Sequence, residues 1–237
     1  MSNKPPKHSE KKRRSETGRK SSASRFNNGW ESGRETKPSR SILPDRHLIV
    51  CEGTKTEPNY FEAICSRIKG RYGCERLHVE GAGRNTLSVF DYALEILDDS
   101  ADVYAHVWLV YDKDGFPSGS FNATADKCDA KRTAGPQFHA LWSNEAFELW
   151  YILHFEYLQS GLSRDAFSEK LTQHLKKQGH SAYKKNDTNM FELLWPFLDT
   201  AVRNAEKLEQ ANRGKTPTAS NPGTTVHHFI NVIRSYL

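Results

Sequence analysis

From Arg46 onward the sequence alternates two hydrophobic patterns. Short unbroken apolar runs suit strands buried on both faces, because a strand with helices on either side has no face left for water. Longer segments repeat their apolar residues every three or four positions, which is the stripe of a helix lying on a sheet. "HLIVC", His47 to Cys51, is the first run. "TEPNYFEAICSRIKGRYG" follows it, with Tyr60, Phe61, Ile64, Cys65 and Ile68 on one stripe. Thr56 is its candidate N-cap, and Pro58 sits in the first turn.

The alternation continues. "RLHVEGAG" predicts a short strand that ends in a glycine loop. "NTLSVFDYALEILDD" predicts a helix capped by Asn85, with Leu87, Phe90, Ala93, Leu94 and Leu97 on one face. Val107 to Tyr111 is the third strand, and the stretch from Ser118 to Arg132 is helical in its second half. "QFHALWS" predicts a fourth strand, and "NEAFELWYILHFEYL" a strongly apolar helix capped by Asn144. After Gly161 the pattern is helical. Ser163 caps one segment, Pro196 interrupts a long one, residues 214–223 form a polar loop, and Thr225 caps a last helix. Strand–helix–strand order implies right-handed crossovers and a parallel sheet. The expected fold is therefore α/β, a Rossmann-like parallel sheet flanked by helices in residues 41–158, with a helical C-terminal extension in residues 159–237.

Residues 1–40 break this pattern. The whole chain carries 34 Lys and Arg and 29 Asp and Glu; the first forty residues hold twelve of the former and four of the latter, so the rest is net acidic. Without apolar periodicity such a segment cannot offset the entropy of ordering it, and a disordered basic tail is expected. It can serve as an arm on nucleic-acid phosphates or as a solvated leader. No apolar stretch of signal-peptide type follows "MSNKPPKHSEKKRR", and no run reaches the roughly 18 apolar residues of a membrane helix, so a cytoplasmic protein without membrane contact is expected. Cys51, Cys65, Cys74 and Cys128 form no C-x-x-C pair, which suggests neither a zinc site nor a disulfide framework.

Acids stand where the first and third strands end. Glu52 and Gly53 follow "HLIVC"; Asp112 and Asp114 follow "VWLVY" in "YDKDG". In a parallel sheet the carboxyl ends of the strands share one edge, where sites form. Three carboxylates meeting there would repel unless a cation joined them. An all-oxygen set suits Mg²⁺ or Mn²⁺. Glu148 lies between apolar residues of its helix, so on a buried face it must be paired or bind something. "EGAGRNT" can receive a phosphate at a helix N-terminus or make a tight turn, and it lacks the P-loop spacing. Neighbouring His227 and His228 are expected to point to different faces and make a poor metal pair. Lys184 and Lys185 are expected in a solvated basic loop.

The pairing of E-G after strand one with D-x-D after strand three resembles the Toprim fold. The segments "LIVCEGTKTEPNYF", "VWLVYDKDGF", "SNEAFELWYILHF" and "NPGTTVHHFI" together resemble the RloB-like (AbiLii-like) family, from about Leu43 to Leu237. That resemblance implies a Mg²⁺-dependent Toprim-type nuclease cutting DNA or RNA, tRNA included. It also implies a phage-defence effector beside an ABC-type ATPase partner. The alternative is a non-catalytic module that holds nucleic acid or the ATPase. Glu52 would match the Toprim glutamate, as metal contact or general acid/base, and Asp112 and Asp114 the D-x-D ligands. Glu57 falls where related nucleases carry a further acid. "DKDGFPS" has no third acid, so a second metal would need Glu57, Glu145 or Glu148. Lys55 and Lys113 stand beside the acids; Lys55 would contact a phosphate, and Lys113 is read as a solvated turn lysine.

Overall fold

The computed structural model describes residues 45–73, 75–83, 86–113, 117–131 and 135–237, all within one compact unit spanning residues 42–237. The basic tail, Cys74, the Asn85 cap and Asp114 lie outside the described residues.

Four of the five strands run parallel. They are β1 (His47–Cys51), β2 (Leu77–Gly81), β3 (His106–Asp112) and β4 (Gln137–Asn144), and a two-residue β5 (Gly223–Thr224) pairs antiparallel with β4. The order across the sheet is β2-β1-β3-β4-β5. The chain is thus α/β with a mostly parallel central sheet flanked by helices. The apolar runs are continuous because each strand feeds two cores. Ile49, Cys51, Trp108 and Val110 point into one, with α1 (Thr56–Tyr72) and the later helices; Leu48, Val50, Val107 and Leu109 point into the other, under α2 (Thr86–Asp99) and α3 (Ser118–Ala130). Each such side chain, fully buried, stabilises the fold by about 1.5–3 kcal/mol.

The C-terminal part contains α4 (Glu148–Leu153), α5 (Arg164–Lys177), α6 (Met190–Leu194), α7 (Leu198–Ala211) and α8 (Val226–Ile233). Pro196 sits in a 3-10 turn, Trp195–Phe197, that separates α6 from α7, since its ring and missing N–H stop a continuous α-helix. Phe229 and Ile230 of α8 and Phe167 of α5 enter the same core as Ile49 and Trp108.

Several local expectations differ. α3 is helical from Ser118, not only in its second half. The apolar helix is short: β4 continues through Asn144, whose side-chain amide donates to the carbonyls of Pro217 and Thr218 at 3.1 and 3.0 Å and so holds a strand end instead of capping a helix. Residues 214–223 are not all loop; they contain a 3-10 turn, Pro217–Ala219, and the start of β5. Thr56 is the first residue of α1, and its hydroxyl donates to the carbonyl of Lys185 at 2.8 Å. Ser163 and Thr225 stand at cap positions without side-chain cap bonds; the Thr225 hydroxyl bonds the β4 backbone at Ala140 and Trp142 instead.

Candidate functional site

The parallel register sets the site. Cys51 lies opposite Val110, so Glu52 leaves β1 level with Tyr111, and Asp112 is the next residue along β3. The Glu52 carboxylate accepts the backbone N–H of Asp112 at 3.3 Å, while the Glu52 N–H donates to the carbonyl of Val110 at 2.8 Å. Two residues 60 positions apart are thereby joined at the carboxyl edge.

A pocket of about 280 Å³ opens at this edge. Glu52, Glu57, Asp112 and Glu148 line it, together with Lys55, Arg164 and Lys185. Three of the four carboxylates are largely buried: Glu57 is 8% exposed, Asp112 7% and Glu148 4%. Burial holds the Glu57 carboxyl above its ordinary range, and nearby Glu148 adds to the rise, while Lys185 and Arg164 oppose it. Glu148 is fixed by the Tyr183 hydroxyl, which donates to it at 3.1 Å. Arg164 donates to an Asp112 oxygen at 3.3 Å.

Gly53 explains the glycine of the E-G pair. A Cβ there would lie 2.3 Å from a Glu57 carboxylate oxygen, so Glu57 can fold back against the turn only because the residue after Glu52 has no side chain. Gly81 serves packing too: a Cβ would meet the Gly53 carbonyl at 3.0 Å and the Thr54 Cα at 3.1 Å. Gly83, at φ +60°, takes a left-handed turn that favours glycine.

The pocket brings together Glu52, Glu57, Asp112, Glu148 and Lys55. Asp114 is outside the described residues, and Glu145 and Lys113 are not among the lining residues. Lys185 is exposed in its turn, as expected; it also lines the pocket, and its carbonyl receives the Thr56 hydroxyl. Arg164 escaped the reading of the sequence. Its one signal was a cation in the first turn of α5, where the helix dipole disfavours positive charge.

The acids that line the pocket offer only oxygen donors, the type a hard divalent ion takes; among the described residues no three of them bring ligand atoms within 4.8 Å of one another. Fold and site together define an α/β protein with an acidic pocket, rimmed by cations, at the carboxyl edge of its sheet. The chain belongs to the RloB-like protein family, whose family model matches residues 47–233. No curated protein matches it. Among the described residues no helix is long and apolar enough to cross a membrane.

Proposed function

We propose that this protein is a Mg²⁺- or Mn²⁺-dependent nuclease that hydrolyses phosphodiester bonds of DNA or RNA, tRNA among the RNAs. In this reading it acts in the cytoplasm as a phage-defence effector beside an ABC-type ATPase. The observation that carries the chemistry is the convergence of Glu52, Asp112, Glu57 and Glu148 with Lys55, Arg164 and Lys185 around one pocket. The defence role and the ATPase partner rest on the family resemblance.

Glu52 and Asp112 would hold the ion at the strand ends, and Glu57 and Glu148 a second ion or the waters of the first. A bound ion would supply Lewis-acid polarisation of a phosphoryl oxygen and a hydroxide nucleophile near neutral pH. The chain's own groups do the rest. Lys55 and Lys185 offer ammonium groups to the non-bridging oxygens of a phosphate. Arg164 orients Asp112 and adds a third positive charge. Tyr183 keeps Glu148 in place.

The test is incubation of the full chain with duplex DNA, single-stranded DNA and tRNA, with and without Mg²⁺ or Mn²⁺ and the ATPase, followed by sequencing of new ends. Metal-dependent breaks that vanish in Glu52→Gln are expected. Equal cutting by that variant, or cutting unaffected by chelator, overturns the mechanism. Tight Mn²⁺ binding without cleavage under any condition assigns the pocket to a binding module instead.

A further inference from the structure

A second group of metal-ligating side chains lies away from the acidic pocket, where α7 meets α8. Adjacent helix residues point about 100° apart, which is why His227 and His228 read as a poor pair. The structure brings them back together. His227 is 1% exposed and His228 44%, yet their ring centroids are 4.4 Å apart. Their Nε2 atoms reach the two oxygens of one carboxylate, Glu209, at 3.1 and 2.9 Å. One ligand atom from each of the three residues lies within 4.8 Å of the others.

We propose that Glu209, His227 and His228 form a binding site for a first-row divalent ion, Zn²⁺ foremost, that clamps the C-terminal helix α8 to α7. Two imidazole nitrogens and one carboxylate oxygen make a three-residue set that zinc uses, with a fourth position open. Zinc bonds of about 2.0–2.1 Å in a tetrahedron hold ligand atoms about 3.3 Å apart; the two histidine–carboxylate contacts, at 3.1 and 2.9 Å, are near that spacing, and all three ligand atoms lie within 4.8 Å of one another.

A cavity and a second acid adjoin the group. Glu209 also lines a cavity of about 510 Å³, with Glu206, Arg213, Trp142, Thr224 and Thr225. Glu206 stands one turn earlier on α7, and its charge acts on His227.

The test uses the full chain carrying Glu52→Gln and Asp112→Asn, so that the pocket at the strand ends does not contribute. Zn²⁺ affinity is measured by competition with a chromophoric chelator, and Co²⁺ is used for its visible ligand-field bands. One tightly bound equivalent, a raised Tm and tetrahedral Co²⁺ bands are expected. His228→Gln and Glu209→Gln, both at exposed positions, should each weaken Zn²⁺ binding by at least about 10–100-fold and abolish the bands. His228→Asn on the same exposed ring position, checked by circular dichroism, guards against misfolding of one variant. No stoichiometric binding, or equal affinity in all three variants, overturns the site.

Discussion

The Glu52 carboxylate accepts the backbone N–H of Asp112 at 3.3 Å, so the acid that ends β1 is tied to the acid that ends β3. This contact separates structure from chemistry. Glu52→Gln keeps a carbonyl oxygen to accept that N–H and should leave stability within about 0.5 kcal/mol of the wild type. Metal-dependent cleavage should nonetheless fall by about a hundredfold or more, because the charge is gone. Glu52→Ala loses the hydrogen bond as well, a further cost of about 0.5–1.5 kcal/mol. Urea midpoints measured beside cleavage rates check both parts. A Gln variant that still cuts at the wild-type rate contradicts the assignment.

Gly53→Ala tests whether the glycine exists to seat Glu57. The new methyl would start 2.3 Å from the Glu57 oxygen, so one of them must move. Because that oxygen ends a flexible side chain, Glu57 can swing aside, so stability should fall by no more than about 1 kcal/mol while Mn²⁺ binding weakens. Pairing it with Glu57→Ala removes the clash, so the double variant should be more stable than the two single effects predict. Thermal melts and Mn²⁺ titration of the four proteins read the coupling. Strict additivity would mean that Gly53 serves something other than Glu57.

Much of this architecture is legible in the sequence, and the reasons are local. β1 and β3 are apolar on both faces because both faces are covered, so "HLIVC" and "VWLVY" announce themselves. The acids at their ends are adjacent in space because parallel strands share an edge. What escapes is set by distant chain. β5 is only two residues long and has no period to detect. Thr225 looks like a cap until β4 offers its backbone at Ala140 and Trp142. Arg164 and Lys185 reach the pocket from segments more than fifty residues beyond Asp112, and no spacing rule connects them to it. His227 and His228 converge only because Glu209, on another helix, draws both rings.

Arg164 is part-exposed but its partner Asp112 is buried, so removing the guanidinium should cost about 1–3 kcal/mol. Arg164→Gln, which keeps an amide donor, should still fold. Its effect should fall on function, through a less well oriented Asp112 and a missing cation beside the phosphate. Cleavage should drop at least about tenfold, with Arg164→Lys between the two, since a lysine restores charge but not the planar fork. Rates at several Mg²⁺ concentrations distinguish the two contributions. If added Mg²⁺ restores the Gln variant fully, Arg164 acts only on the metal ligand; if it does not, Arg164 also meets the substrate.

Two buried histidines set an acid limit on the fold. His47 accepts the Trp108 indole N–H at 2.9 Å, and burial, then nearby His106 and His139, lowers its pKa to about 3. Burial lowers that of His154 to about 4. The ordinary value is 6.5, so on acidification the unfolded chain takes up protons that the folded chain excludes. The stability held by the neutral rings is complete above about pH 6.5 and is lost as the pH falls toward about 4 and then about 3. Each histidine contributes a slope of up to about 1.4 kcal/mol per pH unit. Carboxylates in general also titrate as the pH falls, so variants must isolate the effect. His47→Asn keeps an acceptor for Trp108 but cannot be protonated there. Its unfolding free energy should fall less steeply than the wild type's between about pH 6.5 and about pH 5, whatever its absolute stability. Urea titrations at half-unit steps measure both slopes, and parallel curves would place the acid sensitivity elsewhere.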